Sequence, residues 1–166
     1  MKLDFPPGAL RPIGLEQMGE ARALAGRSPR HRAIVRYHDH AEAVQRMMNA
    51  LEPDSYVRPH RHADPDKVEV FVALAGRALA LSFDDDGQVT GFTLIDAAGD
   101  PRGVEIPPRT WHSVVALAPG TVLYEVIEGA FSPSTHKSYA AWAPAEGTPE
   151  ATVFQEALLA RLRAHV

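Results

Sequence analysis

Between residues 55 and 129 the chain reads as a run of short β-rich segments broken by turn signals, at Asp84-Asp85-Asp86-Gly87, Gly99-Asp100-Pro101 and Pro119-Gly120. Strands at such close and regular spacing predict an all-β sandwich or barrel, because a sheet escapes its open edges by closing on itself or on a second sheet. At 166 residues the chain is long enough for one such domain with a sizeable core and too short for two comfortable ones. Apolar residues make up 45% and charged residues 23%, which excludes a disordered or collagen-like chain.

The flanks follow other patterns. Residues 1–52 read as a partly helical extension packed on the barrel, with Leu15, Met18, Ala21 and Ala25 at helical spacing and Gly26 placed as a stop. Ser28-Pro29 can restart a short turn. Residues 53–130 are expected to form the barrel core. Residues 131–166 supply a polar loop and a C-terminal helix starting at Thr148-Pro149-Glu150. Val153, Phe154, Ala157, Leu158 and Leu162 are its expected apolar stripe, and Arg161 and Arg163 suit its C-terminal end. The whole is expected to be one structural domain.

The chemistry gathers at Ser55-Tyr56-Val57-Arg58-Pro59-His60-Arg61-His62. In an extended strand residues i and i+2 share a face, so His60 and His62 present two imidazoles to one point. Glu69 and His112 can complete a shell of three nitrogens and one oxygen, a mix that suits several first-row divalent ions. The interior of a small barrel holds side chains or one small ligand, so histidines on separate strands can converge there. Asp64 and Asp66 compete with Glu69 for the acidic position. A second pair, His38-x-His40 with Glu42, has no matching downstream partners and reads as a solvated polar segment.

Further candidates surround this core. Tyr56 and Arg58 share the parity of His60 and are expected to face the interior, Tyr56 as a proton carrier and Arg58 as a planar donor to a carboxylate or phosphate. Glu125 lies in Val122-Leu123-Tyr124-Glu125-Val126-Ile127, apolar on both faces, where a carboxylate is costly unless paired or hydrogen-bonded. It is a candidate general base, additional metal ligand or partner of Arg58. Lys137, with Tyr139 and the Trp142 segment, is a candidate for ligand contact at the barrel mouth.

Residues 21–36 hold Arg22, Arg27, Arg30, Arg32 and Arg36 with no acid, yet lack the interleaved aromatics of a single-strand binder. With a formal net charge of −4, no nucleic-acid partner is expected, and the arginines read as a solvated or salt-bridged face. No apolar run approaches the roughly 20 residues of a membrane span. The start lacks a secretory h-region, and the absence of cysteine fits a reducing compartment, so a cytoplasmic protein with no membrane partner is expected.

The motifs His60-x-His62 with Glu69-x6-Gly76, and Pro107-x4-His112, resemble the first and second cupin motifs. That resemblance implies a mainly β double-stranded β-helix, or jelly-roll barrel, in which His60, His62, Glu69 and His112 bind one divalent ion per chain: Fe, Mn, Ni or Zn. Two departures stand out. Six residues separate His62 from Glu69 where the family usually has three or four, and Arg109 and Ala116 stand where the second motif usually has Gly and Asn.

Over nearly the whole chain, Ser28-Pro29-Arg30, Met47-x-Asn49-Ala50-Leu51, the segment around His60, Glu105-Ile106-Pro107-Pro108, Trp111-His112 and Trp142-Ala143-Pro144-x-Glu146 resemble the WbuC family of cupin-fold metalloproteins, associated with bacterial surface-polysaccharide gene clusters. The function expected is a metal-dependent enzyme, an isomerase, epimerase or oxygenase, acting on a sugar or small anionic metabolite. The competing reading is a non-catalytic metal-dependent binding or regulatory module. The cupin resemblance also implies a homodimer.

Overall fold

The structure, a computed structural model, describes residues 1–162. Alternation along the strands decides how it is layered. In strand β2 (Val44–Leu51), Met48 and Ala50 turn to one side while Met47 and Leu51 turn to the other, and all four are buried. A strand buried on both faces needs a layer on each side, and the chain provides both.

The first sheet has the order β1 (Arg32–Arg36), β2, β9 (Thr121–Glu128), β4 (Glu69–Ala75), β7 (Gly103–Ile106). The second runs β10 (Ser138–Tyr139), β3 (His60–Arg61), β8 (Trp111–Ala116), β5 (Arg77–Phe83), β6 (Val89–Asp96). All neighbouring strands pair antiparallel. Between the sheets lies a core that includes Leu51, Phe71, Ile95, Ile106, Val114 and Leu123. Helix α1 (Leu15–Ala25) covers the outer face of the first sheet, setting Met18, Ala21 and Ala25 against Val35, Met48 and Val122. Helix α2 (Pro149–Leu162) covers the second, with Leu158 and Leu162 against Leu79, Leu81 and Val115. Each Leu or Val so buried contributes roughly 1.5–3 kcal/mol.

The barrel reaches further toward the N-terminus than the 53–130 boundary predicts. β1 and β2 lie within residues 1–52, and β2 pairs with β9 from Val44↔Glu128 to Leu51↔Thr121. α1 begins and ends where expected, with Gly26 as its C-cap, but Leu15 is exposed and the buried stripe starts at Met18. In α2 the buried positions are Ala151, Gln155, Leu158 and Leu162, while Val153 and Ala157 are exposed and Phe154 is half-buried. Gln155 occupies the stripe because its amide donates to the carbonyl of Pro53 at 2.9 Å. Arg163 lies outside the described residues.

Gly76 joins β4 to β5 with φ +68°, the left-handed region that favours glycine. A Cβ there would sit 2.4 Å from Oγ1 and 3.0 Å from Cα of Thr121. Gly76→Ala is therefore expected to destabilise the fold by about 1–3 kcal/mol, combining backbone strain and overpacking. Urea unfolding should show a lowered midpoint at unchanged slope; an unchanged midpoint would contradict the packing described.

Candidate metal centre

His60 on β3 stands directly opposite His112 on β8, and His62 follows at the end of the same short strand. Glu69 opens β4 on the facing sheet. The four side chains meet between the sheets, each 3% exposed or less. Their ligand atoms all lie within 4.8 Å of one another.

The hydrogen bonds of the rings fix what they offer one another. Nδ1 of His60 donates to the Arg58 carbonyl at 2.9 Å, Nδ1 of His62 to the His136 carbonyl at 2.5 Å, and Nδ1 of His112 to the Thr110 carbonyl at 2.8 Å. A neutral imidazole that donates from Nδ1 carries its lone pair on Nε2. All three Nε2 atoms are buried without a hydrogen-bond partner, and so is Oε2 of Glu69. Yet Oε2 lies 2.8 Å from Nε2 of His112 and 3.4 Å from Nε2 of His62. Lone pairs crowded at these distances repel unless a proton or a cation lies among them. Backbone carbonyls that hold Nδ1 are also the usual second layer of a metal-binding histidine. The donor set therefore fits a divalent ion, with Glu69 as the acid.

Charge follows the same logic. Burial alone would raise the Glu69 carboxyl, but a proton on Nε2 of His112 or His62, or a cation in its place, outweighs burial and holds it well below the usual carboxylate range. Burial, and then Lys137, push His60 well below the ordinary histidine value, so the ring is neutral.

The long loop before Glu69 folds outward. Asp64 and Asp66 are exposed and pair with Arg109 at 3.2 and 2.8 Å, so neither reaches the cluster. Arg109, where the cupin motif usually has Gly, keeps a left-handed φ of +64°.

The cluster opens on a cavity of about 480 Å³ whose lining includes Glu125, Arg58 and Lys137. Glu125 is the inward residue of β9 between Met47 and Phe71, and accepts a hydrogen bond from the Asn49 amide. Burial first, and then the Glu69 charge, push its carboxyl up to about 8, so it is protonated at neutral pH. It does not pair with Arg58, whose guanidinium donates to the Ala140 carbonyl at 2.9 Å and lies over the Tyr139 ring. Lys137 is half-buried and makes no ion pair or side-chain hydrogen bond among the described residues.

Tyr56 is corrected. Residues 55–59 are not extended strand, so its parity with His60 has no consequence; its hydroxyl donates to the Pro144 carbonyl at 3.1 Å and its ring packs edge-on to Phe154 of α2. Trp142 likewise packs against Phe83, Trp111 and Phe154 on the outer face. The segment at 38–42 is not uniformly solvated either: His40 is exposed and Glu42 half-buried, but His38 is fully buried. Arg30 and Arg32 find their acid far along the chain, at Glu146.

Two residues escaped the sequence reading. Asn49 shares the inward parity of Met47 and Leu51, and a polar residue at that position was the available signal. His136 holds His62 through its carbonyl and lines the cavity with its ring, pushed down to about 3 by burial; it comes from a loop, where no periodicity points to it.

Two facing antiparallel sheets around a buried three-histidine, one-glutamate cluster define a cupin-type double-stranded β-helix with a candidate metal site. A family model described as a domain of unknown function, DUF6016, matches residues 13–95, half of the chain, and the chain belongs to that family. No curated protein is a significant match to this chain. Among solved structures, CapF with the inhibitor 3-isopropenyl-tropolone aligns at TM-score 0.50 and 16% identity over 64% of this chain and 34% of that one. This chain thus spans about a third of CapF. A double-stranded β-helix protein from Klebsiella pneumoniae aligns at 0.49 and 15% identity, over 66% of this chain and 84% of its own. Oxalate decarboxylase from Bacillus subtilis aligns at 0.49 and 19%, over 74% and 29%. No described helix is long and apolar enough to cross a membrane.

Purified protein is expected to carry about one divalent ion per chain, and a strong chelator should lower its melting temperature, because ligand binding stabilises the folded state. Elemental analysis of His60→Ala and His112→Ala should show most of the metal gone; full occupancy in both would remove the site.

Proposed function

We propose that this protein is a metal-dependent enzyme acting on a sugar or small anionic metabolite in the cavity between its sheets. The observation that carries the reading is a neutral carboxyl, Glu125, and an unpaired ammonium, Lys137, lining the same cavity as His60 and His112, two members of a cluster whose four ligand atoms have no hydrogen-bond partner among the described residues. An ion held by His60, His62, Glu69 and His112, of the Fe, Mn, Ni or Zn type, would supply Lewis acidity toward a carbonyl or hydroxyl oxygen.

The chain's own residues supply the rest. Lys137 and Arg58 are the cations that would hold an anionic group of the substrate. Glu125, its carboxyl raised by burial, can give and take a proton, and Asn49 fixes its orientation. Met47, Phe71 and Val114 give the cavity an apolar wall that limits water. These roles suit isomerisation or epimerisation; oxygenation is the chemistry open to an iron form. The resemblance to WbuC supports a sugar of surface-polysaccharide (O-antigen) metabolism as the substrate class, handled in the cytoplasm. The second reading, a binding or regulatory module without turnover, uses the same donors but gives no use to a buried ionisable Glu125.

Glu125→Gln tests the assignment. It is expected to keep metal and melting temperature while abolishing turnover of the active substrate found by NMR screening of nucleotide sugars and sugar acids. In metal-free protein the sign of the pH effect is fixed by the raised pKa: the contribution of a protonated Glu125 is fully present below about pH 4.5 and is lost as pH rises through about 8. Relative to Glu125→Gln, the wild type should therefore lose stability, on the order of a few kcal/mol, between pH 5 and 8, since the buried His60 and His136, whose lowered values act in the opposite sense up to the ordinary histidine value, are common to both proteins. Parallel slopes in urea denaturation would show that Glu125 holds no raised proton.

The protein is also proposed to be a homodimer, since the sheets end in strands such as β6 and β7 whose outer edges other copies can pair or cover. Light scattering at high micromolar concentration should give about twice the 18.1 kDa chain mass. A monomer there would refute it.

A further inference from the structure

The arginines of residues 21–36 are used unequally. Arg22 donates to the Gly120 carbonyl at 2.8 Å, and Arg30 and Arg32 pair with Glu146. Arg36 makes no ion pair and no side-chain hydrogen bond among the described residues, although it is half-buried and lines the cavity. Asp39, an acid that feels its charge, is committed to Lys2 at 2.7 Å. Ile34, Arg36 and His38 all line the cavity, two residues apart, while Val35 and Tyr37 turn to the core under α1.

His38 adds a second donor. Its Nδ1 lies 2.8 Å from both the backbone N–H and the carbonyl of Arg46, and that carbonyl also accepts from the Tyr37 N–H at 2.9 Å. With Nδ1 accepting from the Arg46 N–H, the ring proton sits on Nε2, the reverse of the three histidines of the metal cluster. That Nε2 is buried and has no hydrogen-bond partner among the described residues. A fully buried N–H without a partner and an unpaired guanidinium on the same wall call for the same thing, a negatively charged oxygen.

Their place in the sheet sets the size of the ligand. Arg36 faces Met47 and Met47 faces Glu125, so two strand spacings, on the order of 10 Å, separate the backbone at Arg36 from that at Glu125, with Glu69 on the next strand. We infer that Arg36 and His38 form an oxyanion subsite that takes the far phosphate or carboxylate of a hexose-sized metabolite whose other end reaches Glu125 beside the metal centre. This rests on reading the cavity as the ligand site of that centre, and names the substrate class: a sugar phosphate or a sugar acid rather than a neutral sugar.

Calorimetric titration of metal-loaded protein with glucose 6-phosphate, glucuronate and uncharged glucose tests it. At least one anionic probe is expected to bind tenfold or more tightly than glucose, and which one does so separates phosphate from carboxylate. Arg36→Met, which keeps the aliphatic stem, and His38→Asn, which keeps an acceptor for the Arg46 N–H, should each weaken that probe by about tenfold or more. Metal content, melting temperature and glucose binding should not move. No preference of the wild type for either anion over glucose, or full anion affinity in folded Arg36→Met, would overturn the subsite, the latter because Lys137 or Arg58 would then carry the charge. Failure of the wild type to hold metal would instead strike the reading of the centre; the Arg36-dependent preference can still be read on metal-free protein.

Discussion

Three imidazole lone pairs and a carboxylate oxygen, buried together without a protein partner, are the constraint around which the rest of this molecule is arranged. A buried carboxylate costs several kcal/mol unless a positive charge accompanies it, and neutral rings that donate from Nδ1 supply none. Glu69 belongs to the first sheet and the three histidines to the second. A cation at their meeting point would therefore tie the two sheets beside Phe71, Ile106 and Val114 of the core. Binding and folding are coupled at such a site, since the unfolded chain holds no preformed shell.

The layering makes that end available. Because α1 and α2 cover the outer faces, the apolar stabilisation of the strands does not depend on filling the whole interior. Leu51, Phe71, Ile95, Ile106 and Leu123 pack one part of the space between the sheets, and the inward positions of β1, β2 and β9 are free to carry Arg36, Asn49 and Glu125. Polar residues at inward positions would weaken a two-layer sandwich. Here they become the cavity.

His60, His62, Glu69 and His112 were legible in the sequence because their placement follows from short-range geometry: strand parity for the first pair, and motif spacing for the others. Glu69 survived an unusual loop because its competitors, Asp64 and Asp66, had an exposed partner in Arg109 that the sequence does not pair with them. Tyr56 failed for the same kind of reason that His60 succeeded. Parity holds only where the backbone is extended, and residues 55–59 are irregular. The roles of Asn49 and His136 were not legible because their contacts, to Glu125 and His62, cross 76 and 74 residues of chain, although the inward parity of Asn49 was. The stripe of α2 was misplaced by Gln155, whose burial depends on the Pro53 carbonyl and not on its own hydrophobicity.

Glu125 also explains why the cluster stops at four ligands. It lies close enough to Glu69 for that charge to help keep it protonated, and a protonated carboxyl is a poor ligand for a cation but a competent proton donor. Of these two acids, Glu69 stands among the histidines and is held well below the usual carboxylate range, whereas Glu125 is raised by burial and then by the Glu69 charge. A module that only bound its ligand would be served at lower cost by a glutamine at position 125, hydrogen-bonded to Asn49 and free of the desolvation of a carboxylate. An ionisable group stands where an amide would fit, and the proposed catalytic role gives that group a use.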